Sequence, residues 1–230
     1  MDTRRHHTGL FLILAALLCG LAPEASAQSS ILYRGRIIQT YPYAYNGCTY
    51  WQKDEFSPGS VEYCGRLFEG VLLNIDVFKK ELQTRFSPAS DPIMLSAEKV
   101  GKVEIEGLGE FRHIPSGSLG ALKGYCKVVF EEGGFTVYEM MTKTLGDSIE
   151  GAEKFILENP GSKEGIYRYF DTKTAFYFVE NGDVTRVSGA SFFKKRFKGR
   201  KKEISRFVSS SRLGKNDAGL YEGIMKIALQ

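Results

Sequence analysis

The sequence predicts an α+β fold that is mostly antiparallel β, with about ten short strands in hairpins and a C-terminal cluster of about three short helices. Three observations support this class. Short β-prone runs follow one another, separated by Gly and Asn turns. The apolar period changes from two to 3.6 after residue 187. Strands therefore come in series, with helices segregated at one end, instead of alternating as βαβ units.

Residues 1–27 are predicted to be a signal peptide. Arg4 and Arg5 precede an apolar run over 10–18, and Ala25-Ser26-Ala27 matches an A-x-A cleavage site. The apolar run is shorter than the ~20 residues that a membrane-spanning helix needs. We expect an exported protein that begins near Gln28 and lies in the periplasm, at the outer membrane or outside the cell.

The exported chain is expected to fold as one unit in three parts. Residues 28–143 form a β-rich domain, and residues 144–164 form a linker or a short helix, expected at 148–159. Residues 165–230 form a β-hairpin and a helical cap that packs on the same domain. The length of the exported chain suits one domain or two small ones.

Turn signals divide the β-rich domain. Residues 31–38 are predicted to be an opening strand, and glycine-containing pairs at 64–65 and 133–134 are predicted to close hairpins. Loops are expected at 87–92 and 115–118, where proline stands among small polar residues.

The C-terminal part opens with the strongest hairpin signal of the chain, Asn181-Gly182, between strands predicted at 176–180 and 184–187. A further strand is expected at 166–170, and Asn216 is the predicted N-cap of the last helix. The apolar residues that predict the three helices are Phe192, Phe193 and Phe197, then Ile204, Phe207 and Val208, and then Leu220, Ile224, Ile227 and Ala228.

A basic segment interrupts these apolar positions. The chain carries 31 Lys and Arg against 27 Asp and Glu, a net charge of +4. The segment has seven cations and no acid, so the rest of the chain is mildly acidic, which argues against a nucleic-acid binder. Two interpretations stay open: a solvated helix face, or a binding site for acidic groups of a lipid, a glycan or a protein. The seven cations are Lys194, Lys195, Arg196, Lys198, Arg200, Lys201 and Lys202.

Residues 41–56 are rich in aromatic side chains. They are predicted to cover the edge of the core, because aromatic residues favour strands. The alternative is an exposed aromatic platform that binds a glycan. Its candidate residues are Tyr43, Tyr45, Tyr50 and Trp51.

The cysteines suit an exported protein. Cys48 and Cys64 are predicted to form a disulfide, and Cys126 is predicted to be a buried free thiol because it alternates with apolar residues. Lipid modification of Cys19 is disfavoured because Leu18 precedes it, where a lipoprotein signal has a small residue.

Enzyme chemistry has little support in the sequence. The exported chain has one histidine, His113, and no Cys-x-x-Cys, so we predict no metal site and no cofactor. A small hydrolase centred on His113 is the alternative to a binding protein. In it, His113 would activate Cys126 or a serine such as Ser116 or Ser118, with Asp76 or Asp91 orienting the imidazole.

Two blocks carry a resemblance, 61–76 with its continuation at 95–103 and 110–111, and 177–213. The chain resembles a family of exported envelope proteins of Gram-negative bacteria with no assigned activity. The resemblance implies a β-rich exported domain with a helical C-terminus and transfers no catalytic residue.

We therefore expect a non-enzymatic accessory protein of the cell envelope that works by contact. Its expected partner is an envelope protein or an anionic envelope component, with no nucleic acid and with peripheral membrane contact as one form. The sequence leaves the oligomeric state open.

Overall fold

The computed structural model describes residues 31–38, 45–52, 55–147 and 168–230. It confirms the predicted α+β class. The strands are β1 (Arg36–Ile37), β2 (Tyr45–Asn46), β3 (Ser57–Tyr63), β4 (Arg66–Asp76), β5 (Glu81–Arg85), β6 (Ile93–Leu95), β7 (Val100–Ile105), β8 (Gly109–Leu119), β9 (Leu122–Glu132), β10 (Phe135–Asp147), β11 (Arg168–Glu180) and β12 (Asp183–Val187). The helices are α1 (Ala190–Arg196), α2 (Lys201–Ser210) and α3 (Ala218–Ala228).

The described strands form one twelve-stranded sheet. Eleven follow the order β1-β6-β5-β4-β3-β7-β8-β9-β10-β11-β12 in antiparallel pairs, and β2 pairs with β11 in parallel. Strands β10 and β11 pair from Phe135 opposite Glu180 to Asp147 opposite Arg168. Residues 144–147 of the predicted linker therefore belong to β10, and the helix expected at 148–159 lies outside the described residues.

Three predicted turns form where the sequence places them. Both central residues have positive φ in each, at 53° and 72° for Cys64-Gly65, 60° and 82° for Gly133-Gly134, and 51° and 85° for Asn181-Gly182. Such turns match the twist of the strands that they join. They fix the hairpins β3–β4, β9–β10 and β11–β12.

Four predicted elements differ from the structure. The opening strand is reduced to β1, because residues 31–32 form a helical turn that buries Leu32. The loop expected at 115–118 lies inside β8, which stays in its hairpin with β9 across a register shift. The described part of the strand expected at 166–170, residues 168–170, and the strand expected at 176–180 belong to one strand, β11. The N-cap of α3 is Asp217 and not Asn216.

One core lies where the sheet curls back on itself. Most of its buried side chains come from β3 to β9, among them Leu73, Leu82 and Phe111. Trp51 lies edge-on to Phe111, with 4.9 Å between ring centroids. Tyr125 of β9 belongs to the same cluster, so the two ends of this stretch of sheet meet across it.

The three helices close a second core. Phe176 and Phe178 alternate onto one face of β11, where Phe193 of α1 and Tyr221 of α3 pack against them. On the opposite face, Tyr177 joins a smaller cluster that buries Cys126. The helical cap predicted for residues 165–230 therefore packs on the same sheet as the β-rich part.

Candidate functional site

The aromatic stretch faces inward where the structure describes it. Trp51 is 7% exposed and packs in the first core. Tyr50 packs edge-on to Phe56, and its hydroxyl donates to Gln83 Oε1 at 3.0 Å. Trp51 therefore offers no open ring face as a platform, whereas Tyr50 is half-buried. Tyr43 lies outside the described residues, and only the backbone of Tyr45, in β2, is described.

His113 and Cys126 lie on opposite faces of the sheet. His113 is directly opposite Tyr125, and their ring centroids are 5.0 Å apart, whereas Cys126 is opposite Arg112. Neighbouring positions of a strand point to opposite faces, so the imidazole cannot reach the thiol. Burial lowers the pKa of His113, and the charge of Glu98 opposes this effect.

The remaining partners of the hydrolase hypothesis are not assembled either. Cys126 is fully buried, as predicted, and burial raises the pKa of its thiol to about 12. Ser116 is exposed and Ser118 donates to the carbonyl of Pro115 at 2.7 Å, both beyond His113 on β8. Asp76 is buried and accepts hydrogen bonds from Thr49 Oγ1 and the Lys79 amide. Asp91 is exposed before β6.

The predicted disulfide is not formed. Cys48, Cys64 and Cys126 are all free thiols. Cys64 is exposed at the β3–β4 turn, whereas Cys48 lies beside Lys143 of β10, with 3.6 Å between Sγ and Nζ. The β3–β4 turn therefore places the Cys64 thiol away from the Cys48 thiol.

The basic segment forms the outer surface of the helical cap. Its backbone runs through α1, a 3₁₀ turn at Lys198–Arg200 and the start of α2. Phe193 and Ile204 are buried beneath it, so the packed positions hold the cationic ones in place. Four of its five lysines are exposed, and the fifth, Lys194, is partly buried.

Few of these cations are neutralised. Arg196 pairs with Glu180 of β11, and Arg200 pairs with Glu203 at 3.2 Å. No lysine of the segment forms an ion pair with a described residue. The cap therefore presents five lysine charges that pair with no acid in the described part of the chain.

The position of these charges on α2 is unfavourable for the helix itself. Arg200 is the N-cap of α2 and makes no side-chain cap, and Lys201 and Lys202 follow in the first turn. The N-terminus of a helix carries partial positive charge, so cations there cost stability where anions would add it. At the C-terminal end of α1, by contrast, Lys194, Lys195 and Arg196 lie near the partial negative charge of the helix and stabilise it.

A second charged group, which the sequence did not indicate, lies on β8. Arg112 donates to Glu110 and to Glu131 of β9, and Lys102 pairs with Glu110 at 2.8 Å. Hydrogen bonding to Arg112 lowers the pKa of Glu131. Each charge has a partner, so this cluster reads as a cross-strand structural network.

A cavity of about 480 Å³ lies beside α3, between the edge of β11 and the end of β12. Its lining contains two cations, Arg186 and Lys215, and no acid. Within the described residues, no group of three or more His, Cys, Asp or Glu could hold a metal ion, and no helix is long and apolar enough to cross a membrane.

Comparisons of this chain with protein-family models, with curated proteins and with solved structures find no match. The resemblance to exported envelope proteins therefore stays a prediction.

Proposed function

We propose that the protein is an exported, non-enzymatic contact protein that binds an anionic component of the bacterial envelope through the basic segment. One observation carries the proposal: on a helical cap whose core is packed, the segment places five lysines that form no ion pair with any described acid. Three consecutive cations, Arg200 to Lys202, stand at the positive end of α2. An anion bound there would relieve that repulsion.

The packing beneath the segment supports this proposal. Phe192 and Phe193 of α1 contact Phe178 of β11, with ring centroids 5.5 and 5.9 Å apart. Phe197, next to the 3₁₀ turn, packs on Phe135 of β10. The cationic positions are thus spaced by a rigid scaffold, which lowers the entropic cost of binding.

Other functions find less support in the geometry. A hydrolase needs His113 beside a nucleophile, but Cys126 is buried on the opposite face of the sheet and the Ser118 hydroxyl donates to the carbonyl of Pro115. A glycan platform needs an open Trp51, which is buried. The contact function needs only the surface that the helices present.

The test is a pull-down from native envelopes, read by mass spectrometry. Lys198, Lys201 and Lys202 are changed to Gln in one variant. In the matched control, three exposed cations outside the segment, Arg66, Lys99 and Lys123, are changed to Gln. We expect the first variant to lose the captured component and the control to retain it.

Salt gives a second arm of this test. The Debye length falls to about 3 Å at 1 M salt, so capture through exposed charges should be lost there. Capture that is equal for both variants and persists in ~1 M salt would refute the proposal.

A further inference from the structure

On one side, strand β11 is longer than the two strands that pair with it there, β2 and β12. It pairs with β10 along its whole length. On the other side, β2 covers only Arg168 and Tyr169, and β12 covers only Phe176–Glu180. Among the described residues, 171–175 have no strand partner on that side, which leaves a gap between two strands on one sheet edge.

Glycines at both ends of the gap turn the neighbouring strands away. Gly47, with φ of 92°, follows β2, and the chain then leaves for β4, where the Trp51 amide donates to the carbonyl of Ile75 at 2.9 Å. Gly189, with φ of 125°, follows β12 and starts α1. Neither strand continues alongside 171–175.

The gap exposes backbone hydrogen-bonding groups. Asn181-Gly182 is a two-residue turn, so Glu180 and Asp183 form a hydrogen-bonded pair. Alternation along β11 then points the N–H and C=O of Thr174 and Thr172 into the gap. Lys173 faces the other way, because its carbonyl accepts from Thr142 Oγ1 of β10 at 3.3 Å. Thr172 and Thr174 therefore offer two N–H and two C=O groups, and none of these four groups is hydrogen-bonded to a described residue.

The cavity described above begins where β12 ends, on the line that a strand in this gap would follow. Phe176 and Tyr221, with ring centroids 4.3 Å apart, line it together with Thr174. The Tyr221 hydroxyl donates to the carbonyl of Lys215 at 2.6 Å and ties the loop before α3 in place. Arg186 and Lys215 are exposed at the cavity and pair with no described acid.

We propose that this gap is a strand-addition site for an extended, acidic peptide segment of a partner protein. The peptide backbone pairs with Thr172 and Thr174, and one carboxylate side chain enters the cavity beside Arg186 and Lys215. Five residues of strand span about 17 Å, enough for several ladder hydrogen bonds. Main-chain pairing provides affinity and the cavity provides specificity, as in other cases of strand addition.

This site lies on the sheet edge and does not use the basic segment, so the two proposals can fail separately. A peptide that binds through the gap is expected to bind the Lys198, Lys201 and Lys202→Gln variant as well as it binds the unchanged protein. A peptide that loses binding only to that variant reports on the basic segment and overturns the present proposal.

The first test selects a phage-displayed library of random peptides on the purified protein. We expect selected peptides to alternate β-branched or aromatic residues and to carry an Asp or Glu. Thr174→Pro removes a backbone N–H that no described neighbour uses, at an edge position that tolerates proline. Thr174→Val keeps the N–H and is the matched control.

We expect Thr174→Pro and Lys215→Glu each to raise the Kd for a synthetic copy of a selected peptide by about tenfold or more. Thr174→Val should bind like the unchanged protein. A library that yields no binder, or peptides that bind the proline and valine variants equally, would overturn the proposal.

The second test needs no variant. In amide hydrogen exchange followed by NMR, we expect fast exchange at Thr172 and Thr174 and slow exchange at Lys173, whose backbone faces β10. Adding the selected peptide should slow exchange at both threonines. If both amides are already protected in the free protein, another part of the chain fills the gap and the proposal is wrong.

Discussion

The two ends of the sheet are stabilised in different ways. We call β3–β8 around the first core the self-closing end, and β9–β12 with the three helices the helix-capped end. Of the six buried polar or charged side chains that the structure describes, five lie at or beside the self-closing end, namely Thr49, Asn74, Asp76, Gln83 and Thr84. The sixth, Glu139, lies at the helix-capped end.

Hydrogen bonds fix the self-closing end. Asp76 holds Thr49 and the turn at Lys79, and Asn74 Nδ2 donates to the carbonyl of Glu55 at 2.8 Å. The helix-capped end is instead filled by aromatic rings. The self-closing end thus combines an apolar core with buried hydrogen bonds, whereas the helix-capped end relies on aromatic packing beneath charged surfaces. Both proposed contact sites lie on the second region.

The largest expected effect comes from removing an aromatic side chain at the helix-capped end. Phe193 is fully buried between α1, α3 and the sheet, so Phe193→Ala should lower the free energy of unfolding by about 3–5 kcal/mol. Denaturant unfolding followed by circular dichroism and by Trp51 fluorescence checks this value. Because one sheet joins both regions, we expect the Trp51 transition to shift as well.

The exposed Phe86 is the control, since Phe86→Ala should change little. A Trp51 transition that stays in place in Phe193→Ala would show that the two ends unfold independently.

The second largest effect is expected from removing hydrogen bonds at the self-closing end. Asp76→Ala removes the acceptor of Thr49 Oγ1 and of the Lys79 amide, so we expect a loss of about 1–3 kcal/mol. Asp76→Asn keeps one acceptor oxygen and should lose less. Chemical denaturation measures both variants, and equal losses would mean that the site needs charge and not an acceptor.

The cap of α3 gives a smaller effect. Asp217 Oδ1 accepts from the Gly219 amide at 2.9 Å, and loss of such a cap costs about 1 kcal/mol. We therefore expect thermal unfolding to show that Asp217→Ala is less stable, whereas Asn216→Ala stays close to the unchanged protein. If Asn216→Ala is less stable and Asp217→Ala is not, Asn216 is the N-cap, as the sequence predicts.

The smallest effect depends on pH. Burial, with a contribution from Asp217, raises the pKa of Glu139, and Lys127 opposes this. The folded pKa lies above the unfolded value of about 4.3, so the stability that the neutral carboxyl provides is complete below that pH. It is lost as the pH rises through the folded pKa.

Glu139→Gln should therefore equal the unchanged protein at low pH and exceed it at pH 7, by an amount on the order of 1 kcal/mol. Urea unfolding at both pH values checks this expectation. The exposed Glu132→Gln is the control for the change from Glu to Gln itself. A Glu139→Gln variant that is less stable at pH 7 would mean that the carboxylate makes a favourable contact.

Local chemistry in the sequence predicted much of this architecture. Asn181-Gly182 requires positive φ at both positions, which leaves a tight hairpin as the simplest outcome. The spacing of Leu220 and Ile224 predicts α3, because a helix is largely specified by which residues it buries. The inward direction of Phe193 follows from the same periodicity.

Tertiary features account for what the sequence did not predict. Thr172, Lys173 and Thr174 have no apolar alternation, so nothing local joins them into the long β11. The burial of Trp51 depends on Phe111, sixty positions away, which no local pattern reports. The basic segment was visible as charge, but its place at the start of α2 depends on where the helix begins.

The proposal that the basic segment contacts an anionic envelope component is tested most directly by lysine footprinting of the purified protein. Acetylation rates of each lysine are measured by mass spectrometry with and without native envelope extract. We predict that Lys198, Lys201 and Lys202 become protected while Lys99 and Lys123 do not. Protection of the latter pair, with no change in the basic segment, would contradict the account.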